Sequence, residues 1–468
     1  MIHQFTLNGY YIVLDINSGA IHIVDDVVYD IISMYKKLSR SDIAAEILKK
    51  YGNREDVSET DISEIFDDIE SLINSGKLFS DSGAHPDIEK LKPKKQTLKA
   101  MCLHIAHTCN LTCDYCFARQ GQFCGEEALM SFEVGKQAFD FLIANSGSHK
   151  NLEVDFFGGE PLLNWGVIKN LVKYAREQEK IHNKNFRFTL TTNGVLLDED
   201  VIDFANKEMY NVVLSLDGRK EVHDKLRRQG NGSGSYDVIV PKFLEMVKQR
   251  DRKNYYIRGT YTHFNRDFTE DIQHMLDLGF RELSMEPVVC DPGDPYALLE
   301  SDLPQLYEQY EKLAMMVLDY DKSGDPFNFY HYMLDLGHGP CIYKRLKGCG
   351  SGTEYFSVTP WGEIFPCHQF VGDLKYSMGN VYDGIKETSI VEEFSHCNVY
   401  ENEDCRNCWA KYYCSGGCSA NAYHSTGSVN GTYTFGCDLF KKRMECAIML
   451  QAAKPKNHTQ YNKNKSIK

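Results

Sequence analysis

The segment Cys109-Asn110-Leu111-Thr112-Cys113-Asp114-Tyr115-Cys116 spaces three cysteines as C-x3-C-x2-C. Three thiolates this close along a chain can bind three irons of a [4Fe–4S] cube, and the segment itself offers no fourth ligand. The remaining iron is then open to a substrate or cofactor. A zinc knuckle is the alternative interpretation of the same spacing. The other motifs of the chain favour the cube.

Strand-like and helix-like runs alternate from about residue 99 to 290, on both sides of this segment. The strand-like runs are residues 103–106, 153–157, 187–191, 212–216, 256–261 and 283–289. Such β–α repeats predict a parallel sheet with right-handed crossovers, which forms an α/β barrel or part of one. In such a barrel the loops that follow the strands carry the chemistry, and the cysteines follow the first strand.

Two of the later strands are followed by short motifs that suit a charged ligand. Gly158-Gly159-Glu160-Pro161 follows the second strand. Its glycines let the backbone approach a ligand, and its carboxylate can pair with an ammonium group. Ser215-Leu216-Asp217-Gly218 follows the fourth strand, and Arg227 comes shortly after it. Alone, each motif is an ordinary turn or a solvated charge, but their common position at strand ends favours one shared binding site.

Ten of the sixteen cysteines lie between Cys341 and Cys446, and none lies in residues 1–101. Disulfides do not persist in a reducing compartment, so this density indicates metal binding or catalysis. The regular part of the pattern is Cys349, then Gly362-x4-Cys367, then Cys405-x2-Cys408-x5-Cys414-x3-Cys418, then Cys437. A zinc ribbon would account for the run that begins at Cys405, but not for Gly362 and Cys367. The cysteines that fit no pattern, and that are expected to be buried free thiols, are Cys102, Cys124, Cys290, Cys397 and Cys446.

Residues 1–83 form a unit without cysteine. Short strand-like runs around the turn Asn17-Ser18-Gly19 predict a hairpin. Three helices follow in the prediction, with Ser41 as the cap of the second and Ser58 as the cap of the third. Small strands with three helices indicate a winged-helix-like module, which would bind DNA or a peptide. The acidic start of the third helix, residues 59–68, disfavours DNA.

A net charge of −14 argues against a nucleic-acid partner, since phosphate binding needs concentrated positive charge. No apolar run is long enough to span a membrane, and the N-terminus lacks the pattern of a signal peptide, so a cytoplasmic protein is expected. The polar, proline-punctuated residues 84–98 are predicted to be a linker. Residues 311–340 are predicted to be a bridging region, and the tail 451–468 is predicted to be disordered.

The order of these motifs resembles that of radical S-adenosylmethionine (SAM) enzymes that carry a SPASM domain and modify ribosomally made peptides. The runs 8–20 and 348–356 look most like those of the SCIFF peptide maturases, which act on a short cysteine-rich precursor. The resemblance implies an α/β fold in three parts. These are a winged-helix-like leader-peptide recognition domain at residues 1–83, a partial (β/α)6 radical SAM barrel at 99–310, and a cysteine-rich SPASM domain at 341–450.

The resemblance also implies the cofactors, which are SAM and three [4Fe–4S] clusters. Cys109, Cys113 and Cys116 would hold the cluster that binds SAM. Cys349, Cys367 and Cys418 would hold a first auxiliary cluster, which takes Cys341 as a fourth ligand or stays open for a substrate thiolate. The second auxiliary cluster would be held by Cys405, Cys408, Cys414 and Cys437. The residues expected to contact SAM are Tyr115, Gly158, Gly159, Glu160, Ser215 and Arg227.

The implied reaction is thioether formation, in which a cysteine sulfur bonds to an acceptor carbon after a 5′-deoxyadenosyl radical has removed a hydrogen atom from it. The implied partners are a cysteine-rich precursor peptide with its leader and a low-potential electron donor of the flavodoxin or ferredoxin type. One alternative is an anaerobic sulfatase-maturing, formylglycine-forming enzyme. A non-enzymatic alternative is an iron–sulfur regulator that binds DNA through residues 1–83. The motifs name no acid or base, and they leave open the acceptor carbon, the number of crosslinks and the oligomeric state.

Overall fold

The computed structural model describes residues 1–81, 97–123, 125–334 and 345–453. Cys124, Cys341, most of the predicted linker and part of the predicted bridging region lie outside the described residues. Within the described part no helix is long and apolar enough to cross a membrane.

Three antiparallel strands and three helices form the N-terminal module. They are β1 (Ile2–Leu7), β2 (Tyr10–Asp15), β3 (Ile21–Val24), α1 (Asp26–Met34), α2 (Arg40–Tyr51) and α3 (Glu59–Asn74). Ser58 caps α3 as predicted, and with Asp61 it forms a capping box. The cap of α2 is Ser39, not the predicted Ser41. Ser39 accepts the backbone N–H of Asp42 and donates to its carboxylate, which repeats the serine-x-x-aspartate spacing of α3.

A single sheet of eleven strands crosses the rest of the chain. Its central strands are β4 (Ala100–Ala106), β6 (Asn151–Gly158), β7 (Asn185–Thr192), β8 (Met209–Ser215), β10 (Tyr255–Tyr261) and β11 (Glu282–Pro287). Adjacent members of this set are parallel, and each lies within a few residues of its predicted position. A separate ribbon pairs β5 (Leu111–Cys113) with β9 (Arg227–Gln229).

The sheet continues beyond the six predicted strands at both edges. The added strands are β12 (Asn328–Phe329), β13 (Tyr355–Val358), β14 (Glu363–Phe365), β15 (Gly379–Asn380) and β16 (Gly384–Ile385). The short strand β12 pairs parallel to β11, and β13 pairs parallel to β4. The cysteine-rich region thus begins as a continuation of the central sheet, so it is physically joined to the strand that leads into Cys109.

Helices cover the outer face of the sheet and build most of the cysteine-rich region. They are α4 (Phe132–Asn145), α5 (Trp165–His182), α6 (Glu199–Glu208), α7 (Lys220–Leu226), α8 (Tyr236–Gln249), α9 (Phe268–Asp277), α10 (Leu303–Ser323), α11 (Thr388–Ser395), α12 (Glu403–Arg406), α13 (Lys411–Cys414), α14 (Ser419–Thr426) and α15 (Thr434–Ala453). Residue 310, the predicted end of the barrel, lies inside α10, which packs along α15. Residues 451–453 are the last residues of α15, and the rest of the predicted tail lies outside the described residues.

The two faces of the central sheet differ in polarity. Along β6 the side chains of Leu152, Val154 and Phe156 are fully buried against the helices, while the alternate residues Asp155 and Phe157 are half-buried. The strands β7 and β10 alternate in the same way. Because side chains alternate between faces, the inner surface collects the polar residues of every strand.

The N-terminal module is packed onto the body of the protein through the free face of its sheet. On β2, Ile12 and Leu14 belong to the core of the body, whereas Val13 faces the module's own helices and their separate core. On β1, the ring of His3 stacks on Trp409 with centroids 3.8 Å apart, and its Nε2 lies 3.0 Å from Glu445 Oε1. The module therefore holds one position relative to the barrel.

Leu14→Ala tests this packing, because Leu14 is fully buried in the core of the body. The substitution should lower the free energy of unfolding by about 2–5 kcal/mol, as expected for a leucine truncated in a core. Denaturant unfolding followed by circular dichroism measures the change. The control is Tyr210→Ala, since the Tyr210 side chain on β8 is 55% exposed. Equal losses of stability in the two variants would contradict the packing of the N-terminal module on the body of the protein.

Candidate active site

A cleft of about 220 Å³ opens where the carboxyl ends of the central strands meet. It is lined by every residue predicted to hold the first cluster or SAM, namely Cys109, Cys113, Cys116, Tyr115, Gly158, Gly159, Glu160, Ser215 and Arg227. These residues lie at the carboxyl ends of β6 and β8 or in the segments that follow β4, β6 and β8, and Arg227 begins β9 within the segment that follows β8. The parallel topology therefore brings them to one edge.

The cysteine loop is held by the ribbon of β5 and β9, in which Cys113 pairs with Arg227. The N–H of Leu111 donates to Cys109 Sγ at 3.4 Å, and the N–H of Gln120 donates to Cys116 Sγ at 3.3 Å. Burial raises the pKa of Cys109 to about 12 and that of Cys113 to about 11. Buried thiols of this kind become thiolates when a positive metal centre binds them, so the three side chains suit a soft iron site.

No three His, Cys, Asp or Glu side chains among the described residues converge on a point where a single metal ion would sit. A tetrahedral zinc site requires such convergence. An iron–sulfur cube binds each thiolate through a separate iron, so its ligands surround a larger volume. The grouping of the three thiols around the cleft is compatible with the second arrangement.

The glycines after β6 serve the packing of the loop as well as access to the cleft. Gly158 has φ +130°, and a Cβ on it would lie 2.3 Å from the carbonyl oxygen of Ala106. A Cβ on Gly159 would lie 2.1 Å from the carbonyl oxygen of Thr108. The N–H of Glu160 donates to the same Thr108 oxygen at 3.0 Å. This loop is therefore bound to the segment that leads into Cys109.

Glu160 is fully buried beneath the cleft. Its carboxylate accepts hydrogen bonds from Thr192 Oγ1 at 2.8 Å and from the N–H of Asn193 at 2.8 Å. Burial nevertheless raises its pKa to about 7, because the described residues supply these donors without an ion-pair partner. A cationic group in the cleft would favour the ionised form, so the site suits the ammonium group of SAM.

A buried network centred on Asp217 is the part of the site that the sequence did not reveal. The Asp217 carboxylate accepts from Tyr115 Oη at 2.6 Å, from Arg227 Nε at 2.8 Å and from the N–H of Thr260 at 2.9 Å. Burial acts against ionisation, yet the Arg227 guanidinium lowers the pKa of Asp217. The sequence offered one signal of this network, which is the acidic residue Asp217 in the motif that begins at Ser215.

This network adds a contact that the sequence did not indicate for Arg227, which is expected to contact SAM. The guanidinium of Arg227 donates Nε and Nη2 to Asp217. It also lies 5.4 Å from the ring centroid of Tyr115. Arg227 lines the cleft and holds Tyr115 and Asp217 in place there. Ser215 and Tyr115 remain at the cleft surface, as expected for residues around a bound ligand.

The electrostatics of the C-terminal cysteines associate Cys367 with one set of thiols and Cys414 with another. Burial raises the pKa of Cys367, and the nearby thiols of Cys418 and Cys349 add to the rise. In the second group burial raises the pKa of Cys414 to about 12, with contributions from Cys437, Cys405 and Cys408. The ligand sets themselves stay a prediction.

The remaining cysteines are less uniformly buried than expected. Cys102 and Cys446 are buried, in agreement with the prediction, whereas Cys290 and Cys397 are half-buried. Cys397 lines a small pocket together with Cys349 and Lys347. Cys124 and Cys341 lie outside the described residues.

Comparison with known proteins identifies the family. A sequence profile described as the Radical SAM superfamily matches residues 103–285. An uncharacterised protein of Methanocaldococcus jannaschii is 31% identical over 295 residues, which cover 61% of this chain and 90% of that protein. The chain belongs to the radical SAM superfamily.

Two characterised relatives and two solved structures are also similar. The radical SAM cyclopropyl synthase TigE of Paramaledivibacter caminithermalis is 22% identical over 90% of this chain and 89% of that enzyme. The cysteine-type anaerobic sulfatase-maturating enzyme of Clostridium novyi is 25% identical over 75% of this chain and 95% of that enzyme.

The structure of anSMEcpe with bound AdoMet aligns with a TM-score of 0.65 at 22% identity, over 76% of this chain and 94% of that one. SuiB of Streptococcus suis bound to S-adenosylmethionine aligns with a TM-score of 0.50 at 14% identity, over 92% and 97%. These two likenesses confirm the α/β radical SAM fold.

Asp217→Asn tests the buried network. The substitution removes the charge that Arg227 faces, and the Arg227 side chain is only 13% exposed. Removal of one partner of a buried ion pair leaves the other charge unpaired and lowers the free energy of unfolding by about 3–5 kcal/mol. The unfolding midpoint in denaturant should therefore fall clearly. The control is Asp237→Asn, which breaks an exposed pair with Lys220 and should change the stability by less than about 1 kcal/mol. A small effect at Asp217 would show that the network does not support the cleft.

Proposed function

We propose that this chain is a radical SAM peptide maturase that forms thioether bonds between cysteine sulfurs and acceptor carbons in a cysteine-rich precursor peptide. One observation carries the proposal. His368 and Gln369, which directly follow Cys367, line the same cleft as Cys109, Cys113 and Cys116. A substrate in that cleft would touch the first cysteine group on one side and the Cys367 group on the other.

The described residues fit the cofactors that the family implies. Cys109, Cys113 and Cys116 would hold the SAM-binding cluster. Cys349, Cys367 and Cys418 would hold the first auxiliary cluster, and the second would be held by Cys405, Cys408, Cys414 and Cys437. When bound, SAM and the first of these clusters would supply a 5′-deoxyadenosyl radical, and an auxiliary cluster would accept the electron that is released when the C–S bond forms.

The chain's own residues would orient SAM and keep water out. Glu160 offers a buried carboxylate for the ammonium group, and Thr192 and Asn193 hold that carboxylate in one orientation. Tyr115 and Ser215 lie at the cleft surface, and Arg227 acts on Tyr115 through Asp217. Because the supporting groups are buried and paired, the SAM site is organised before the ligand arrives.

The N-terminal module would bind the leader of the precursor. In its sheet, β1 packs against α15 and β2 lies in the middle, so β3 is the edge to which a further strand can pair. Ile23 on β3 is 49% exposed, which is unusual for an apolar residue on a strand edge. Addition of the leader as a strand uses this edge. A leader bound at a module of fixed position raises the concentration of the attached core peptide near the cleft.

Relatives support a peptide or protein substrate. TigE is named a cyclopropyl synthase, and the Clostridium novyi relative is named for the maturation of sulfatases. The second name supports a polypeptide as the substrate of this chain, because a sulfatase is a protein. Reductive cleavage of SAM requires an external electron, so we propose a flavodoxin-type or ferredoxin-type donor as a second partner.

Anaerobic reconstitution with iron and sulfide, followed by incubation with SAM, reductant and a cysteine-rich precursor peptide, tests the proposal. We expect about twelve irons per chain, 5′-deoxyadenosine release, and a product lighter by two hydrogen atoms for each thioether in mass spectrometry. A variant with alanine at Cys109, Cys113 and Cys116 should keep about eight irons and lose SAM cleavage. A peptide of unchanged mass would refute thioether formation.

Sulfatase maturation is the second candidate, because the sulfatase-maturating relative is matched over 95% of its length. A sulfatase-derived peptide offered under the same conditions separates the two functions. Formylglycine formation gives an aldehyde that hydrazine reagents capture, whereas a thioether gives none. Aldehyde in the sulfatase peptide together with an unmodified cysteine-rich precursor would favour the second candidate.

Ile23→Lys tests leader docking. A lysine on an exposed edge strand hinders pairing with a further strand, so the affinity for the leader should fall about tenfold or more. Fluorescence anisotropy of a labelled leader peptide measures the affinity. The matched control is Ile181→Lys on α5, where the isoleucine is 69% exposed and far from β3 in the fold. Equal affinities of the two variants would exclude the β3 edge as the docking site.

A further inference from the structure

An ion pair on the far wall of the cleft has no role in the SAM site. Arg258 on β10 and Glu286 on β11 face the cleft, and Arg258 Nη2 lies 3.0 Å from Glu286 Oε2. In the sheet order, β8 and β7 separate these strands from β6, the strand that leads into Glu160. We infer that Arg258 and Glu286 bind the main chain of the peptide segment that is modified. The inference rests on the proposed function insofar as it takes a peptide as the substrate.

The pair leaves hydrogen-bonding capacity directed at the cleft. Within the described residues the guanidinium of Arg258 makes one hydrogen bond, to Glu286, although an arginine carries several N–H donors. Glu286 Oε1 has His331 Nε2 as a neighbour at 3.8 Å, which is beyond hydrogen-bond distance. Both side chains are about two-fifths exposed, at 40% and 39%. By contrast, the part-buried Arg176 donates to two glutamates and two backbone carbonyls.

A peptide group complements these free positions. It offers a carbonyl oxygen to the guanidinium of Arg258 and an N–H to the carboxylate of Glu286. Burial acts against ionisation of Glu286, but Arg258 beside it lowers the pKa of that carboxyl. Glu286 is therefore an acceptor of hydrogen bonds, as binding of a main-chain N–H requires.

The location of the Arg258–Glu286 pair suits a peptide segment that must reach both the SAM site and the Cys367 group. Thr260 lies opposite Glu286 in the sheet, and its N–H donates to Asp217 of the SAM-side network. On the other side, Glu286 lines the same cleft as His368 and Gln369, which directly follow Cys367. A main chain held between them can direct one side chain to each side.

Aromatic rings form the adjoining wall of the cleft. The ring of His368 lies 5.5 Å from that of Phe117 and 5.3 Å from that of Phe157. Side chains of a bound segment would pack on this wall without a specific polar contact. Recognition of the main chain together with a non-specific wall allows different sequences to occupy the site, which suits a precursor that is modified at more than one place.

A second cross-strand pair provides the matched control. Arg187 on β7 and Glu153 on β6 have Nη1 and Oε1 3.4 Å apart, and they face the same inner surface near the amino ends of their strands. Neither residue lines the cleft. A pair that only stabilises the sheet should behave like this one.

Binding by the reconstituted holoenzyme with SAM tests the inference without requiring turnover. The probe is an acetylated, amidated oligoalanine peptide with one central cysteine, and a second probe replaces the amides on either side of the cysteine by esters. Anaerobic calorimetry or NMR titration gives the affinities. The wild type should bind the amide peptide about 10-fold to 100-fold more tightly than the ester peptide, because an ester cannot donate to Glu286.

Glu286→Leu and Arg258→Gln should weaken binding of the amide peptide, and Glu286→Leu should bind the amide and ester peptides alike, because leucine has no acceptor for a main-chain N–H. Glu153→Leu should match the wild type. Iron content and the unfolding midpoint confirm that each variant is folded. Equal binding of the amide peptide by the wild type and Glu286→Leu overturns the inference, as does a wild type that binds neither probe. Since the readout is binding, a failure of thioether chemistry alone would refute the proposed function and leave this site supported.

Discussion

The buried carboxylate of Asp217 is the interaction on which the cleft depends. It joins three segments that are distant in the chain, because Tyr115 comes from the cysteine loop, Arg227 from β9 and Thr260 from β10. A buried charge is stable only when it is paired and hydrogen-bonded, so each partner is constrained by the others. The orientation of Tyr115 at the cleft, and with it the path of the cysteine loop, follows from this one group.

The parallel sheet supplies the larger frame. Every loop after a central strand opens at the same edge, which places the cysteines, Glu160 and Ser215 around one space. The sheet then continues through β13, which pairs directly with β4. The same hydrogen-bonded sheet therefore fixes the position of the Cys367 group relative to the cleft. A reaction that uses groups on both sides of the cleft requires such fixed positions. The N-terminal module is held in a similar way, since its sheet is buried on both faces.

Several motif residues have contacts that the sequence did not indicate. The glycines of the Gly158 motif line the cleft as expected, and the neighbouring carbonyls of Ala106 and Thr108 also leave no room for a side chain there. Arg227 lines the cleft and also donates to Asp217. These contacts were missed because a motif shows the residue types at a loop and does not show which neighbouring segment they face.

The sequence by itself determined the radical SAM family and the fold class. The three cysteines Cys109, Cys113 and Cys116 are close together along the chain, and the alternation of strand and helix is a local pattern, so both can be recognised without coordinates. Only the tertiary structure decided the pairing of Asp217 with Tyr115 and Arg227, the ion pair of Arg258 and Glu286, and the seat of the N-terminal sheet on the body. These contacts join segments separated by many residues. Their formation depends on strand register and on which faces are buried, and a linear pattern does not encode either one.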